Sequence, residues 1–433
     1  MAAHTQQTDF AQIGSPDTVS SIVDEIRASG PIPFARFMEL ALYHPASGYY
    51  MRTRDANGNQ LTASNSDAEH LIGWSGDYYT APDAHPIFSQ ALARQVDQID
   101  TGMGHPVSFT SVEMGPGKGL LARDLLATCE RQFPNLFARL HCILIERSPT
   151  MREAQRQHLA PWVASGHVSW QDDLRTLSAN SVTGVFLSNE LVDALPVHRI
   201  KIVNGTPVEL YVAWRDDCFV EQVGPLSTLA LSDYVNQLAA MDVALPEGYV
   251  TEINLNALAW MRDVARALGH GVAITIDYGH TAQDLYGPDR ARGTLLCYAK
   301  HQASENPYVR VGQQDITAHV DFTALAAAGE EAGLHVTGFT NQMSFLMGLG
   351  AEDLFASLAP DSAELRAAIR LLRPDGMGRT FKILIQHKGI TAPALDGLRH
   401  KPFFGSVLAG AGQNVNRPPS GGKQKESGKS NDE

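Results

Sequence analysis

Basic residues are in short supply: Lys and Arg number 34 against 47 Asp and Glu, a formal net charge of −13. No Lys/Arg-rich run stands out, so broad binding to nucleic acid or anionic lipid lacks the positive field it requires. A basic protein or peptide is the more natural partner. Cysteine is scarce as well. Cys129, Cys142, Cys218 and Cys297 are scattered, with no C-x-x-C and no paired Cys/His spacing of the kind zinc needs; this argues for reduced, mostly buried thiols and no metal. No apolar stretch of about 18 residues is present to span a bilayer. The first 26 residues carry no Lys or Arg but do carry Asp9, Asp17, Asp24 and Glu25, the opposite of a signal or Arg-rich transit peptide, so the expected compartment is the cytoplasm.

What is present is an ordinary globular composition, 44% hydrophobic and 19% charged over 433 residues, enough for several compact units at roughly 100–200 residues each. Between about 105 and 390, short apolar runs alternate with longer helical patterns. Candidate strands are Val107–Met114, His141–Glu146, His167–Trp170, Val182–Ser188, Gly271–Asp277, His335–Thr340 and Thr380–His387. Amphipathic segments such as Leu120–Phe133, Pro149–Leu159, Asn254–Leu268 and Phe322–Ala332 separate most of them. This alternation predicts an α/β fold with a mainly parallel sheet covered by helices on both faces.

Two regions break the rhythm. Residues 1–100 read as a helical, loop-rich N-terminal lid region with an exposed polar loop at Asp55–Asp67. Residues 197–250 interrupt the alternation: Val197–Val203, Asn204-Gly205 and Pro207–Trp214 predict a β-hairpin, since Asn-Gly accepts the positive φ of a tight turn. An insertion after a strand's carboxyl end lies on the ligand-binding edge of an open α/β sheet, which makes it a candidate substrate cover. The tail, 410–433, is rich in Gly, Pro, Ser and Lys and is expected to be disordered.

The decisive stretch is Val112-Glu113-Met114-Gly115-Pro116-Gly117-Lys118-Gly119-Leu120, a strand that ends in a glycine turn and opens into a helix. A dinucleotide fingerprint needs Gly or Ala where Leu120 stands, and a P-loop needs Ser/Thr after its Lys and a first Gly six residues before it, where Gly119 and Val112 stand. An acid followed by G-x-G-x-G instead resembles motif I of class I S-adenosylmethionine methyltransferases. Glu146 ends the second strand, where a carboxylate can accept both ribose hydroxyls. Asp172 and Asp173 follow the third, where such enzymes usually hold the adenine amino group; which of the two does so stays open. Asn189, Glu190 and Asp193 cluster at the end of the fourth strand, where donor and acceptor should meet. So many carboxylates favour a cationic acceptor such as a guanidinium, gripped through two hydrogen bonds. His280 is a candidate base, and His319 with Asp321 a polar network or helix cap.

These segments together resemble the MidA-type methyltransferases, called complex I assembly factor 7 in mitochondria. The resemblance rests on PIPFARFMELALYHPASGYY (31–50), GDYYTAP (76–82), EMGPGKG (113–119), NELVDALP (189–196), IDYGH (276–280) and DITAHVDF (315–322), and spans most of the chain. It implies a Rossmann-like seven-stranded sheet, last strand antiparallel, formed by 101–196 and 251–390. It implies S-adenosyl-L-methionine as cofactor, held by Glu113, Gly115, Pro116, Gly117, Gly119, Glu146, Asp172, Asp173 and Asn189. It further implies methylation of an arginine in a protein substrate of the respiratory complex I subunit kind, with Glu190, Asp193 and His280 catalytic and Tyr278 nearby. Asp83-Ala84-His85 departs from the family's usual Glu-Ile/Val-Ser, and Cys297-Tyr298 from its Gly-Tyr. A non-catalytic cofactor-binding assembly factor and a small-molecule O- or N-methyltransferase are the alternatives; a homodimer is left open.

Overall fold

A computed structural model describes residues 13–52, 77 and 79–401. The Asp55–Asp67 loop, Tyr78 and the 410–433 tail lie outside them. The central sheet is built from β1 (Phe109–Met114), β2 (Leu140–Ile145), β3 (Val168–Gln171), β4 (Val182–Asn189), β5 (Leu268–His280), β6 (His335–Asn341) and β7 (Phe381–Lys388). Their order is β6-β7-β5-β4-β1-β2-β3, and β7 alone on this path runs antiparallel to its neighbours. An eighth, two-residue strand, Val320–Asp321, pairs with the end of β5, one strand more than the motifs imply.

The strands are apolar runs because both faces are covered. Residues alternate between two cores: Val185, Leu187, Ile274 and Ile276 face helices α1 (Ile87–Gly102) and α2 (Leu120–Gln132), whereas Phe186, Ala273 and Leu384 face α4 (Leu255–Ala267) and α5 (Phe322–Glu331). Between β2 and β3 lies α3 (Pro149–His158). Helix α1 falls within the first hundred residues, yet Phe88, Leu92 and Val96 belong to the main core.

The insertion is a sheet of its own. His198–Val203 and Thr206–Arg215 form the hairpin, with Asn204 and Gly205 at φ of 52° and 69°, and Cys218–Gly224, Val250–Ile253 and Ile32–Pro33 add to it. Its inner face shares a core with the N-terminal helices Pro16–Ser29 and Phe34–Tyr43: Val19, Phe37, Val212 and Phe219 are buried together with Ile316 and Ala318. The N-terminal region and the insertion thus form one packed body at the carboxyl edge of the main sheet. No helix among the described residues is long and apolar enough to cross a membrane.

Candidate active site

Glycine shapes the turn after β1. Gly115, Gly117 and Gly119 all have positive φ, 68°, 50° and 80°. A Cβ on Gly115 would stand 2.9 Å from Leu191 Cδ1, and one on Gly119 3.1 Å from Gln155 Cγ. No side chain caps α2, so its N-terminus faces the cleft with amide donors to spare. The cleft is lined by this turn, Glu113, Asn189, Glu190 and the Thr80–Asp83 segment. Glu113 Oε2 and Asn189 Oδ1 are both buried there without a hydrogen-bond partner among the described residues. Two orphaned acceptors in one cleft are costly unless a cation answers them. The ammonium and sulfonium groups of S-adenosylmethionine fit that need.

Glu146 is held by its surroundings. Its Oε1 accepts from Ser148 N at 2.8 Å and its Oε2 from Gln155 Nε2 at 3.2 Å. Gln155 also donates to the Gly117 carbonyl at 2.7 Å and accepts from Trp170 Nε1 at 2.8 Å. One buried amide on α3 therefore ties the glycine turn, the β2 acid and β3 together. Sequence reasoning missed Gln155, because an isolated Gln on an amphipathic helix carries no signal. The two β3 acids separate: Asp173 pairs with Arg147 and Arg175 and caps the next turn, and Arg175 first of all holds its carboxyl far below the usual range. Asp172 is exposed and pairs with Arg152.

At the ends of β4 and β5 carboxylates gather. Glu190 takes a left-handed φ of 54°, unusual for a residue with a side chain, and donates its N–H to the Ile276 carbonyl at 2.9 Å. Its Oε1 accepts from Ala81 N at 3.2 Å and Asn189 Nδ2 at 3.0 Å; Oε2 has no hydrogen bond among the described residues. Asp277 Oδ2 accepts from the amides of Leu191, Val192 and Asp193, at 2.8 to 3.3 Å, and so shapes the loop after β4. Asp193 accepts from the Tyr278 hydroxyl, and its Oδ1 is buried without a partner among the described residues. Asp315 accepts from Tyr50 Oη at 2.7 Å. Burial is the first cause of every raised pKa here: Asp193 goes up to about 6, Asp315 to about 8, and Glu190 and Asp277 well above the carboxylate range, with neighbouring acids adding to the rise at Glu190, Asp277 and Asp315. Asp277, Asp315 and Tyr50 were hidden inside segments noticed only as motifs. Asp83, in the segment that departs from the family pattern, makes a nearly buried ion pair with Lys118 at 2.6 Å, which straps Thr80–Ala84 over the cleft.

His280 stands apart from the acids. Its Nε2 accepts from Arg290 Nη2 at 3.0 Å, and burial, then Arg290, hold its pKa down to about 3. Asp321 Oδ1 caps α5 through the amides of Thr323 and Ala324.

Glu113 makes a stability prediction. Burial alone raises its pKa to about 8. A carboxyl whose folded pKa exceeds its unfolded value contributes stability at low pH and loses it as pH rises through the folded value. Without cofactor, melting temperature is expected to fall between pH 5 and pH 9, with on the order of 5 kcal/mol at stake. In Glu113→Gln that slope should flatten; parallel melting curves for the two proteins would refute it.

The model of a family of S-adenosyl-L-methionine-dependent methyltransferases matches residues 91–340. The mitochondrial protein arginine methyltransferase NDUFAF7 homolog of Drosophila melanogaster is 26% identical over 416 residues, 89% of this chain and 88% of that protein. Mitochondrial protein arginine methyltransferase NDUFAF7 of Homo sapiens is 27% identical over 429 residues, 89% and 87% of the two chains. Among solved structures, a protein from Burkholderia thailandensis bound to S-adenosyl-homocysteine matches with a TM-score of 0.77 and 31% identity, over 90% of this chain and 98% of that one. A native crystal structure from the same organism matches with a TM-score of 0.74 and 32% identity. The cytoplasmic expectation is corrected by these comparisons: the curated relatives are mitochondrial, and an acidic N-terminal stretch does not decide a compartment.

Proposed function

The chain belongs to the S-adenosyl-L-methionine-dependent methyltransferase family, and from that premise we propose that it methylates an arginine of a protein substrate. The observation that carries this reading is the cluster of buried acids Glu190, Asp193, Asp277 and Asp315, of which Glu190 lines the cleft beside the glycine turn. Carboxyls so desolvated ionise readily only when a cation joins them, and a guanidinium offers a fixed charge with planar paired donors. The names of the curated relatives support arginine as the acceptor.

S-adenosyl-L-methionine supplies an electrophilic methyl group on a sulfonium. In this reading Gly115, Pro116, Gly117 and Gly119 leave room for its methionine moiety, Glu113 and Asn189 answer its charge, Glu146 receives the ribose, and the β3 end at Asp172 and Asp173 flanks the adenine. Glu190 Oε2 orients the guanidinium so that one nitrogen points in line with the methyl. Most of the acceleration comes from that alignment. As the new bond forms, the nitrogen's proton passes to Glu190, whose raised pKa suits it to hold one. Asp193, fixed by Tyr278, keeps the cavity negative, while Asp277 positions the loop that carries both acids. His280 takes no proton here, since Arg290 occupies its Nε2. The insertion and the N-terminal region act as the substrate cover.

The test is incubation with methyl-labelled cofactor and proteome extract, followed by mapping of labelled residues. Label on arginine side chains is expected; label confined to small metabolites would overturn the reading.

A further inference from the structure

Beside these acids, at the same edge of the sheet, two cations stand without a carboxylate in ion-pair contact among the described residues, although the charge of Asp284 reaches Lys382 and His280. Arg290 donates through Nη2 to His280 and through Nη1 to the Asp284 carbonyl at 2.7 Å. Lys382 stands opposite Asp277 in the β5–β7 register and donates to the Arg379 and Thr380 carbonyls. Both cations are half-buried, and neither forms an ion pair among the described residues. Two imidazoles complete the recess. The rings of His280 and His319 lie 5.4 Å apart, and His319 Nδ1 is buried without a partner among the described residues.

Crowding shows in the ionisation of these groups. Burial first, then Arg290, hold His319 down to about 4, and burial, with Arg379 adding, lowers Lys382 to about 8. Half-buried cations without a paired carboxylate carry desolvation and mutual repulsion that Asp284 offsets only in part, and a bound carboxylate relieves both. Arg290 offers a planar fork for it, Lys382 a point charge, and a neutral His319 a donor in one tautomer. Tyr278 joins this recess to the acceptor cavity: its hydroxyl donates to Asp193 while its ring meets His319 edge-on at 5.5 Å.

Resting on the arginine reading of the neighbouring cavity, we propose that the Arg290–Lys382–His319 recess binds a carboxylate of the substrate protein a short way along the chain from the methylated arginine. The carboxylate comes from an acidic side chain or from the substrate's own C-terminus. An arginine with an acid nearby is then the preferred acceptor, each charge meeting its opposite in adjoining pockets.

The experiment uses peptides with one arginine and either Glu or Gln at successive flanking positions, each made as C-terminal acid and amide. The wild-type protein should favour Glu over Gln at one or two positions by about tenfold in kcat/KM. In Arg290→Met and Lys382→Met that ratio should fall toward one. An advantage of the acid over the amide instead assigns the C-terminus as the source. Equal rates for every pair of accepted peptides overturn the proposal. If no peptide is methylated, the imidazole NMR signals of His280 and His319, read during titration of the S-adenosylhomocysteine-loaded protein with N-acetylglutamate, decide between the two readings. Saturable shifts that N-acetylglutamine does not produce, and that both variants lose, mean that the carboxylate site stands and the arginine reading fails. Unmoved signals overturn the site.

Discussion

Glu190→Gln is expected to lower turnover by about 100-fold or more while leaving cofactor affinity within about threefold. The substitution is isosteric and keeps an oxygen able to accept from Ala81 N, so the left-handed turn and the Thr80–Ala84 strap should persist. What it removes is the charge facing the guanidinium and the place for its proton. Single-turnover rates with saturating cofactor, paired with calorimetry using S-adenosylhomocysteine, separate the two effects. An unchanged rate would take Glu190 out of the mechanism; a large loss of cofactor affinity would move it into the cofactor's own site.

Removing the carboxylate at the end of β2 should act on the other substrate. In Glu146→Ala, the loss of charge-assisted hydrogen bonds to a ribose is expected to weaken cofactor binding by about 30- to 100-fold, on the order of 2 to 3 kcal/mol. Glu146 also accepts from Ser148 N and Gln155 Nε2, so some stability goes with it. Glu146→Gln keeps the shape and part of the bonding, and should fall between wild type and Ala. Calorimetry on material whose melting transition remains cooperative checks both. Wild-type affinity in Glu146→Ala would exclude the acid from the ribose.

How far the residues could be read in advance depended on the range of the interactions involved. Strands and helices were legible to within a few residues because apolar periodicity is local: Val182–Ser188 became Val182–Asn189, and Leu120–Phe133 became Leu120–Gln132. The Asn204-Gly205 turn was equally plain, since positive φ at two successive positions selects those residues. The two-residue strand Val320–Asp321 was not, because its pairing with β5 is a long-range contact without a period of its own. Asp277 looked like one more letter of an apolar strand. Only the fold brings the amides of Leu191, Val192 and Asp193 to its carboxylate, across more than 80 residues of chain. The contact that Arg290 makes with Nε2 of the candidate base His280 likewise comes from the fold and has no local signal.

From residue types and spacing alone came the α/β class, the glycine turn that opens α2, and carboxylates at the strand ends: features set by local backbone sterics and by the alternation of apolar positions. The tertiary structure decided the electrostatics. Burial pushes the pKa of Glu113, Asp193 and Asp315 upward, Gln155 ties three segments into one cradle, and Lys118 meets Asp83 across the cleft. A carboxyl's charge depends on the dielectric and the neighbours around it, and those neighbours come from segments far apart along the chain.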